Sequence, residues 1–225
     1  GQPAEAEELM VMRDIALARL TGCRIHFQHL STARSVAMVR EALAAGLPVT
    51  AEATPHHFTL THAACAGYDP VFKVNPPLRT EADVAAVRAG LADGTIATIA
   101  TDHAPHTPES KELPFDQAPP GMIGLETALA LALTELDLPL PQLLAALSWN
   151  PAKVAGIDDV HGRPVAEGEP ANLCVIDPDA TWTVRADAMA SRSRNSPYEG
   201  REVRGRVRHT VLAGEPVVID AEAQR

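Results

Sequence analysis

The sequence predicts an α/β protein in which parallel strands alternate with helices and a small β subdomain follows. Apolar strand patterns and amphipathic helix patterns alternate along residues 2–101, which is typical of parallel strands joined by right-handed crossovers. Beyond Gly168 the pattern changes to short strands separated by turns. The four strand and helix units fit either a small open sheet or half of an eight-stranded (β/α)8 barrel, which needs about 250 residues in all.

The predicted strands of the first part are short apolar or β-branched segments, and they cover residues 24–29, 49–53, 71–75 and 96–101. Helices are predicted over residues 2–20, from a cap at Ser31 or Thr32 to Gly46, and from a capping box of Thr80 and Asp83 to Gly94. Residues 103–121 contain five prolines and no periodic pattern. A loop of this length is usually functional or disordered.

The later part of the chain is predicted to return to helices and then to strands. The helical segments are residues 123–136, 142–147 and 150–155, and the strands are residues 172–176, 181–184, 203–211 and 216–219.

Composition excludes several classes of protein. The 225 residues carry 19 Lys and Arg against 29 Asp and Glu, a formal charge of −10, which argues against a nucleic-acid or anionic-membrane binder. Hydrophobic residues make up 46% of the chain, enough for a packed core. Cys23, Cys65 and Cys174 lack metal-ligand spacing, so we expect reduced thiols and a cytoplasmic location.

Polar residues that can carry chemistry follow the predicted strands. At or just past the strand ends lie His29, Glu52, His56, His57, Asn75 and Asp102. Active sites of α/β barrels and open sheets are built at this carboxyl edge. Each histidine alone could be a hydrogen-bonded structural residue, but imidazoles and a carboxylate at one edge together suit zinc or a similar divalent ion.

Five motifs occur in the order found in the dihydroorotases. They are QHLST (28–32), TAEATPHH (50–57), FKVNPPLR (72–79), TDHAPH (101–106) and GLET (124–127). The chain therefore resembles the bacterial class I branch of this amidohydrolase family over residues 1 to about 214. The resemblance implies the carboxyl-terminal half of a metal-dependent (β/α)8 TIM barrel in residues 1–165. Residues 166–225 would be the carboxyl-terminal part of a small β-sandwich subdomain.

The resemblance implies a binuclear zinc site and a reaction. His29 and His57, rather than His56, match the histidines that bind the second metal, and Asp102 matches the aspartate that touches the first metal and acts as general base and then acid. Asn75, His106, Pro120 and Gly121 match substrate contacts. The implied reaction is the reversible cyclisation of N-carbamoyl-L-aspartate to L-dihydroorotate in pyrimidine biosynthesis.

Two parts of the family's metal site are absent from these 225 residues: a His-x-His-x-Arg motif and a bridging carboxylate from an aspartate or carboxylated lysine. We therefore expect a carboxyl-terminal portion that is inactive without the amino-terminal half, which would be its first partner. The resemblance further implies a homodimer that can associate with aspartate carbamoyltransferase. The alternatives are another cyclic amidohydrolase, such as a hydantoinase or allantoinase, and a non-catalytic structural partner of that transferase.

Overall fold

The computed structural model describes residues 2–224 and confirms an α/β protein. It divides into two compact units, the first comprising Gly1–Leu125 and Ser193–Pro197 and the second Glu126–Arg192 and Tyr198–Arg225. The expected boundary at residue 165 stays a prediction. No helix among the described residues has the length and apolar character needed to cross a bilayer.

The first unit contains a parallel sheet in the order β1-β2-β3, formed by Ile25–Phe27, Val49–Ala53 and Thr98–Ile99. Ile25 pairs with Val49, and Glu52 pairs with Thr98. Along β2 the buried residues alternate with partly exposed ones, so one face packs on the helices while the other carries Thr50 and Glu52.

The prediction of a strand at residues 71–75 is wrong. Pro70–Phe72 forms a 3-10 helix, and the Asp69 carboxylate accepts a hydrogen bond from Val71 N at 2.9 Å. Pro70, Pro76 and Pro77 lack the N–H group that a sheet ladder requires. Local turn bonds therefore replace strand pairing, and three parallel strands form where four were expected.

The helices of the first unit are α1 (Ala4–Thr21), α2 (Ala33–Ala44), α3 (Pro55–Thr59), α4 (Glu81–Asp93) and α5 (Pro108–Lys111). The predicted caps of α2 and α4 are confirmed: the Thr32 hydroxyl accepts from Ser35 N, and Thr80 and Asp83 form a capping box. Buried Val36 and Val39 of α2 and Val87 of α4 pack in the core of this unit. Of these helices, α1 packs against β1 and α2 packs against β2.

Asp83 also joins two helix starts. Its carboxylate accepts from Thr80 Oγ1 at 2.6 Å and from Ala33 N, in the first turn of α2, at 2.8 Å. Burial raises the pKa of Asp83, but these hydrogen bonds and the Arg79 charge outweigh it, so the pKa lies below its ordinary value. A carboxylate with a lowered pKa stabilises the fold above its unfolded pKa of about 3.9.

We expect Asp83→Asn to lower the free energy of unfolding at pH 7 by about 1–2 kcal/mol, because a neutral amide accepts more weakly than the carboxylate from Thr80 and from Ala33 N. Urea titrations across pH should show a constant difference in the free energy of unfolding between the parent and Asp83→Asn above about pH 5. This difference should become smaller below about pH 4, where the parent's carboxylate is protonated. Glu81→Gln, an exposed acid on the same helical turn, is the control and should show no such gap. A gap independent of pH would contradict this role for Asp83.

The second unit combines helices with an antiparallel sheet. The helices are α6 (Ala128–Glu135), α7 (Leu140–Leu144) and α8 (Asn150–Ala155), with a π-helix at Ala145–Trp149 before α8. The strands are β4 (Leu173–Thr183), β5 (Glu202–Leu212), β6 (Glu215–Ile219) and β7 (Glu222–Ala223). Gly205 of β5 adopts φ +96°, and a Cβ there would collide with Leu133 of α6. This close packing of α6 on β5 explains why the helices after Leu125 group with the sheet.

Candidate functional site

His29 and Asp102 follow the carboxyl ends of β1 and β3 and share an unusual backbone conformation. His29 has φ 37° and Asp102 has φ 46°, the left-handed region that non-glycine residues rarely adopt. Such strain often occurs at functional sites, where the surrounding structure holds it in place. The strand-end position predicted for both residues is confirmed.

Glu52, on the central strand, holds the backbone at His29. Its Oε1 accepts from His29 N at 3.3 Å, and its Oε2 lies 3.0 Å from His26 Nε2. The other His26 nitrogen lies 2.8 Å from Thr50 Oγ1. This chain of polar contacts runs along the open face of the sheet, and it fixes both the Glu52 side chain and the strained backbone beside it.

Asp102 is close to several titratable groups. Burial raises the pKa of its carboxyl; His29 lowers it and Glu52 raises it further. Its Oδ2 lies 3.7 Å from Nε2 of His56, a side chain that is 2% exposed. That nitrogen has no hydrogen-bond partner within the described chain. Burial, with smaller contributions from His57 and His29, lowers the pKa of His56 well below its usual value, so its ring is neutral.

His57 is placed differently from its neighbour. Its Nε2 lies 3.0 Å from Pro76 O and its Nδ1 2.8 Å from Thr54 Oγ1, so both ring nitrogens are hydrogen-bonded. Burial lowers the pKa of His57 to about 4. A metal ligand needs a free nitrogen lone pair, and this geometry leaves His57 none. The assignment of His57 as a metal ligand stays a prediction, and it requires the ring to break one of these two hydrogen bonds.

His29 and Asp102 are side chains here that suit a metal ion. The His29 imidazole and the Asp102 carboxylate make no hydrogen bond within residues 2–224, and nitrogen with carboxylate oxygen is a donor set that zinc accepts. Among the described residues, no group of three or more His, Cys, Asp or Glu side chains could hold a metal. The two side chains therefore fit part of a metal site, and further ligands would have to join them.

The predicted substrate contacts His106, Pro120 and Gly121 are brought together. His106 Nε2 lies 3.0 Å from Pro120 O, and a Cβ on Gly121 would lie 2.7 Å from that same nitrogen. Gly121 N donates to Lys73 O at 2.8 Å, so the loop lies against the segment that leads to the exposed Asn75. His106, Pro120 and Gly121 thus belong to one connected region that also contacts Lys73, two residues before Asn75.

The sequence model of the amidohydrolase family matches residues 11–217. The chain belongs to the amidohydrolase family. Members of this family are generally metal-dependent, in agreement with the partial donor set at His29 and Asp102.

Relatives and solved structures of amidohydrolases are similar to nearly the whole chain. The dihydroorotase of Pelotomaculum thermopropionicum is 52% identical over 98% of the chain, and that of Streptomyces coelicolor is 51% identical over 99%. A dihydropyrimidinase from Brevibacillus agri superposes with TM-score 0.92 at 26% identity, covering 99% of the chain and 50% of that structure. The L-hydantoinase of Arthrobacter aurescens gives 0.92 at 29% identity, covering 100% and 51%. The chain spans 52% and 53% of the two dihydroorotases, about half their length.

In this amidohydrolase chain, the buried Nε2 of His56 yields a prediction. Leaving it unpaired costs about 1–3 kcal/mol, and a small approach to Asp102 would satisfy it. We expect His56→Leu to keep or raise the free energy of unfolding but to weaken binding of a divalent metal about 10-fold to 100-fold, because the variant lacks the ring nitrogen that lies 3.7 Å from the Asp102 carboxylate and would become its donor after that approach.

The matched variant is His56→Gln, whose side-chain amide keeps an N–H donor near the same position. Zinc affinity from competition with a chelator and stability from urea unfolding would both be measured. His56→Gln should bind zinc like the parent. Equal zinc affinity in His56→Leu would exclude this orienting role.

Proposed function

We propose that this chain is part of a zinc-dependent dihydroorotase, a cyclic amide hydrolase that interconverts N-carbamoyl-L-aspartate and L-dihydroorotate in pyrimidine biosynthesis. The observation that supports this most strongly is that two residues of different dihydroorotase motifs, His29 and Asp102, follow the carboxyl ends of neighbouring parts of the sheet and interact electrostatically. His106, from the same motif as Asp102, contacts Pro120. Identity supports the same choice: it is 52% to a dihydroorotase but 29% to a hydantoinase.

The three-stranded sheet is, in this proposal, part of a (β/α)8 barrel. Within the described residues β1 and β3 each pair on one side only, and an open strand edge requires cover in a stable protein. The further strands and metal ligands would come from the part of the relatives' length that the chain does not span.

The same proposal includes association as a homodimer, association with aspartate carbamoyltransferase and a cytoplasmic location. The three free thiols support the cytoplasmic location.

Zinc, when bound, would supply Lewis acidity toward the ring carbonyl and a water that loses its proton near neutral pH. His29 and Asp102 would hold it. Asp102, whose carboxylate has no hydrogen-bond partner within residues 2–224, would take the proton of the attacking water and return it to the leaving ring nitrogen. Asn75, His106 and the Pro120 and Gly121 backbone would bind and orient the substrate.

The test compares the chain alone with the chain coexpressed with the part of the Pelotomaculum dihydroorotase that it does not match. Coelution on gel filtration, zinc content by elemental analysis and cyclisation of N-carbamoyl-L-aspartate are measured together. We expect turnover and about two zinc ions per complex, and neither in the chain alone.

Other outcomes would favour the alternatives. A coeluting complex that opens hydantoin or dihydrouracil but not dihydroorotate would identify another cyclic amidohydrolase. A complex with neither zinc nor turnover would favour the non-catalytic partner of aspartate carbamoyltransferase. Full activity of the 225-residue chain alone would contradict the expectation that it needs the other half.

A further inference from the structure

We propose that Asn195 is a positioning residue that holds the His106 backbone and the Pro120 and Gly121 loop in register for substrate binding. The proposal rests on the proposed function, because it assigns substrate contact to His106 and Gly121. Asn195 lies outside all five dihydroorotase motifs. It is nevertheless 6% exposed and belongs to Ser193–Pro197, the short segment that groups with the first unit.

The Asn195 side chain links the two ends of the loop 103–121. Its Nδ2 donates to Ala104 O at 3.0 Å and to Gly121 O at 3.2 Å, while its Oδ1 accepts from His106 N at 3.3 Å. Its backbone oxygen accepts from Ile123 N at 3.1 Å. Both N–H groups of one amide are therefore used, and each binds a carbonyl at a different end of this loop.

The chemistry of this contact requires an amide. Two carbonyl oxygens and one N–H surround the side chain, so a group with two donors and one acceptor is needed. A carboxylate at residue 195 would place an oxygen against the Ala104 and Gly121 carbonyls. Removing the amide would leave these groups without partners in a buried place, which costs more than the hydrogen bonds themselves contribute.

The Asn195 side chain binds the backbone on both sides of the contact between His106 and Pro120. His106 Nε2 lies 3.0 Å from Pro120 O, and Asn195 holds the backbone at His106 and at Gly121, the residue after Pro120. Without Asn195 the imidazole and its backbone partner can move apart. Because these groups bind substrate rather than exchange protons, the effect should fall on substrate affinity.

Steady-state kinetics on the coexpressed complex tests the proposal. We expect Asn195→Ala to raise KM for dihydroorotate about tenfold or more while kcat changes by less than about threefold. In a His106→Ala background the same substitution should change KM by less than about twofold, because coupled residues are not additive. Independent effects in this double-mutant cycle would overturn the proposal.

The matched control is Asn172→Ala in the second unit. Asn172 is a partly exposed amide that also joins two loop backbones, with Oδ1 accepting from Ala213 N at 2.8 Å and Nδ2 donating to Val160 O at 3.5 Å. It should leave KM unchanged. If Asn195→Ala does not fold, Asn195→Asp takes its place. This variant keeps the acceptor for His106 N but removes both donors, and its KM is compared with those of the parent and Asn172→Ala.

Hydrogen exchange on the chain alone separates this proposal from the proposed function. The amides of Ala104, His106 and Ile123 should exchange faster in Asn195→Ala than in the parent, and at the parent's rate in Asn172→Ala. Unchanged exchange would overturn the proposal even if the complex turns over no dihydroorotate. Faster exchange with unchanged KM would reduce Asn195 to a purely structural residue.

Discussion

Asp102→Asn is expected to reduce turnover of dihydroorotate by the coexpressed complex by about 10³-fold or more, because under the proposed function it removes both the proton acceptor and a carboxylate that would hold the metal. The carboxylate has no hydrogen bond to lose within the described residues, and its only ion-pair neighbour there, His56 Nε2, is 3.7 Å away. Asparagine is also one of the few residues that tolerate φ 46°, the conformation of Asp102. The fold should therefore survive while the chemistry is lost.

His29→Asn forms the companion variant, since residue 29 has φ 37°. We expect loss of zinc in both variants, measured by elemental analysis after gel filtration, with the free energy of unfolding within about 1 kcal/mol of the parent. Asp137→Asn, an exposed carboxylate in the second unit, is the control and should keep zinc and turnover. Parent-like zinc content and turnover in Asp102→Asn would contradict the assigned site.

His57→Gln extends the same experiment to the ligand assigned by resemblance. The glutamine amide can still donate to Pro76 O, the partner of His57 Nε2 at 3.0 Å, so stability should change little. Zinc lost from this variant would support His57 as a ligand. Zinc retained at the parent's level would exclude it and leave His29 and Asp102 as the ligands of this chain.

The sequence predicted the parts of the fold that local rules determine. The caps at Thr32 and Thr80 depend on residues three apart, and both are confirmed. The strand pattern at residues 71–75 failed because three nearby prolines cannot join a ladder. The grouping of α6 with β5 depends on packing between Leu133 and Gly205, which are distant in the sequence, and no local pattern reports such a contact.

Some residues of the candidate site could likewise be predicted from the sequence, and others could not. Strand-end placement located His29 and Asp102, a motif located His106, and the resemblance to the dihydroorotases located Gly121 between two motifs. The sequence pattern could not show which of His56 and His57 lies beside Asp102. Adjacent residues of a helix point about 100° apart, so the orientation of the turn at Thr54 determines which ring faces Asp102. Asn195 acts across 89 residues on His106, and a single asparagine in a polar stretch carries no periodic signal.

Gly121→Ala is expected to raise KM for dihydroorotate about tenfold or more and to lower the free energy of unfolding by about 1–3 kcal/mol. Gly121 has φ 135°, a conformation that L side chains rarely adopt. The added Cβ would lie 2.7 Å from both Ala104 Cβ and His106 Nε2. The imidazole would have to leave the Pro120 carbonyl, so the predicted substrate contact would be displaced.

Gly94→Ala separates this collision from backbone strain. Gly94 ends α4 with φ 82°, and a Cβ there meets nothing within 4 Å, so this variant should show only the conformational cost of about 1–2 kcal/mol in urea unfolding, with KM unchanged. A rise in KM confined to Gly121→Ala would mean that residue 121 must be glycine because His106 occupies the space a side chain would need. The same KM in both variants and the parent would mean that this imidazole does not bind the substrate.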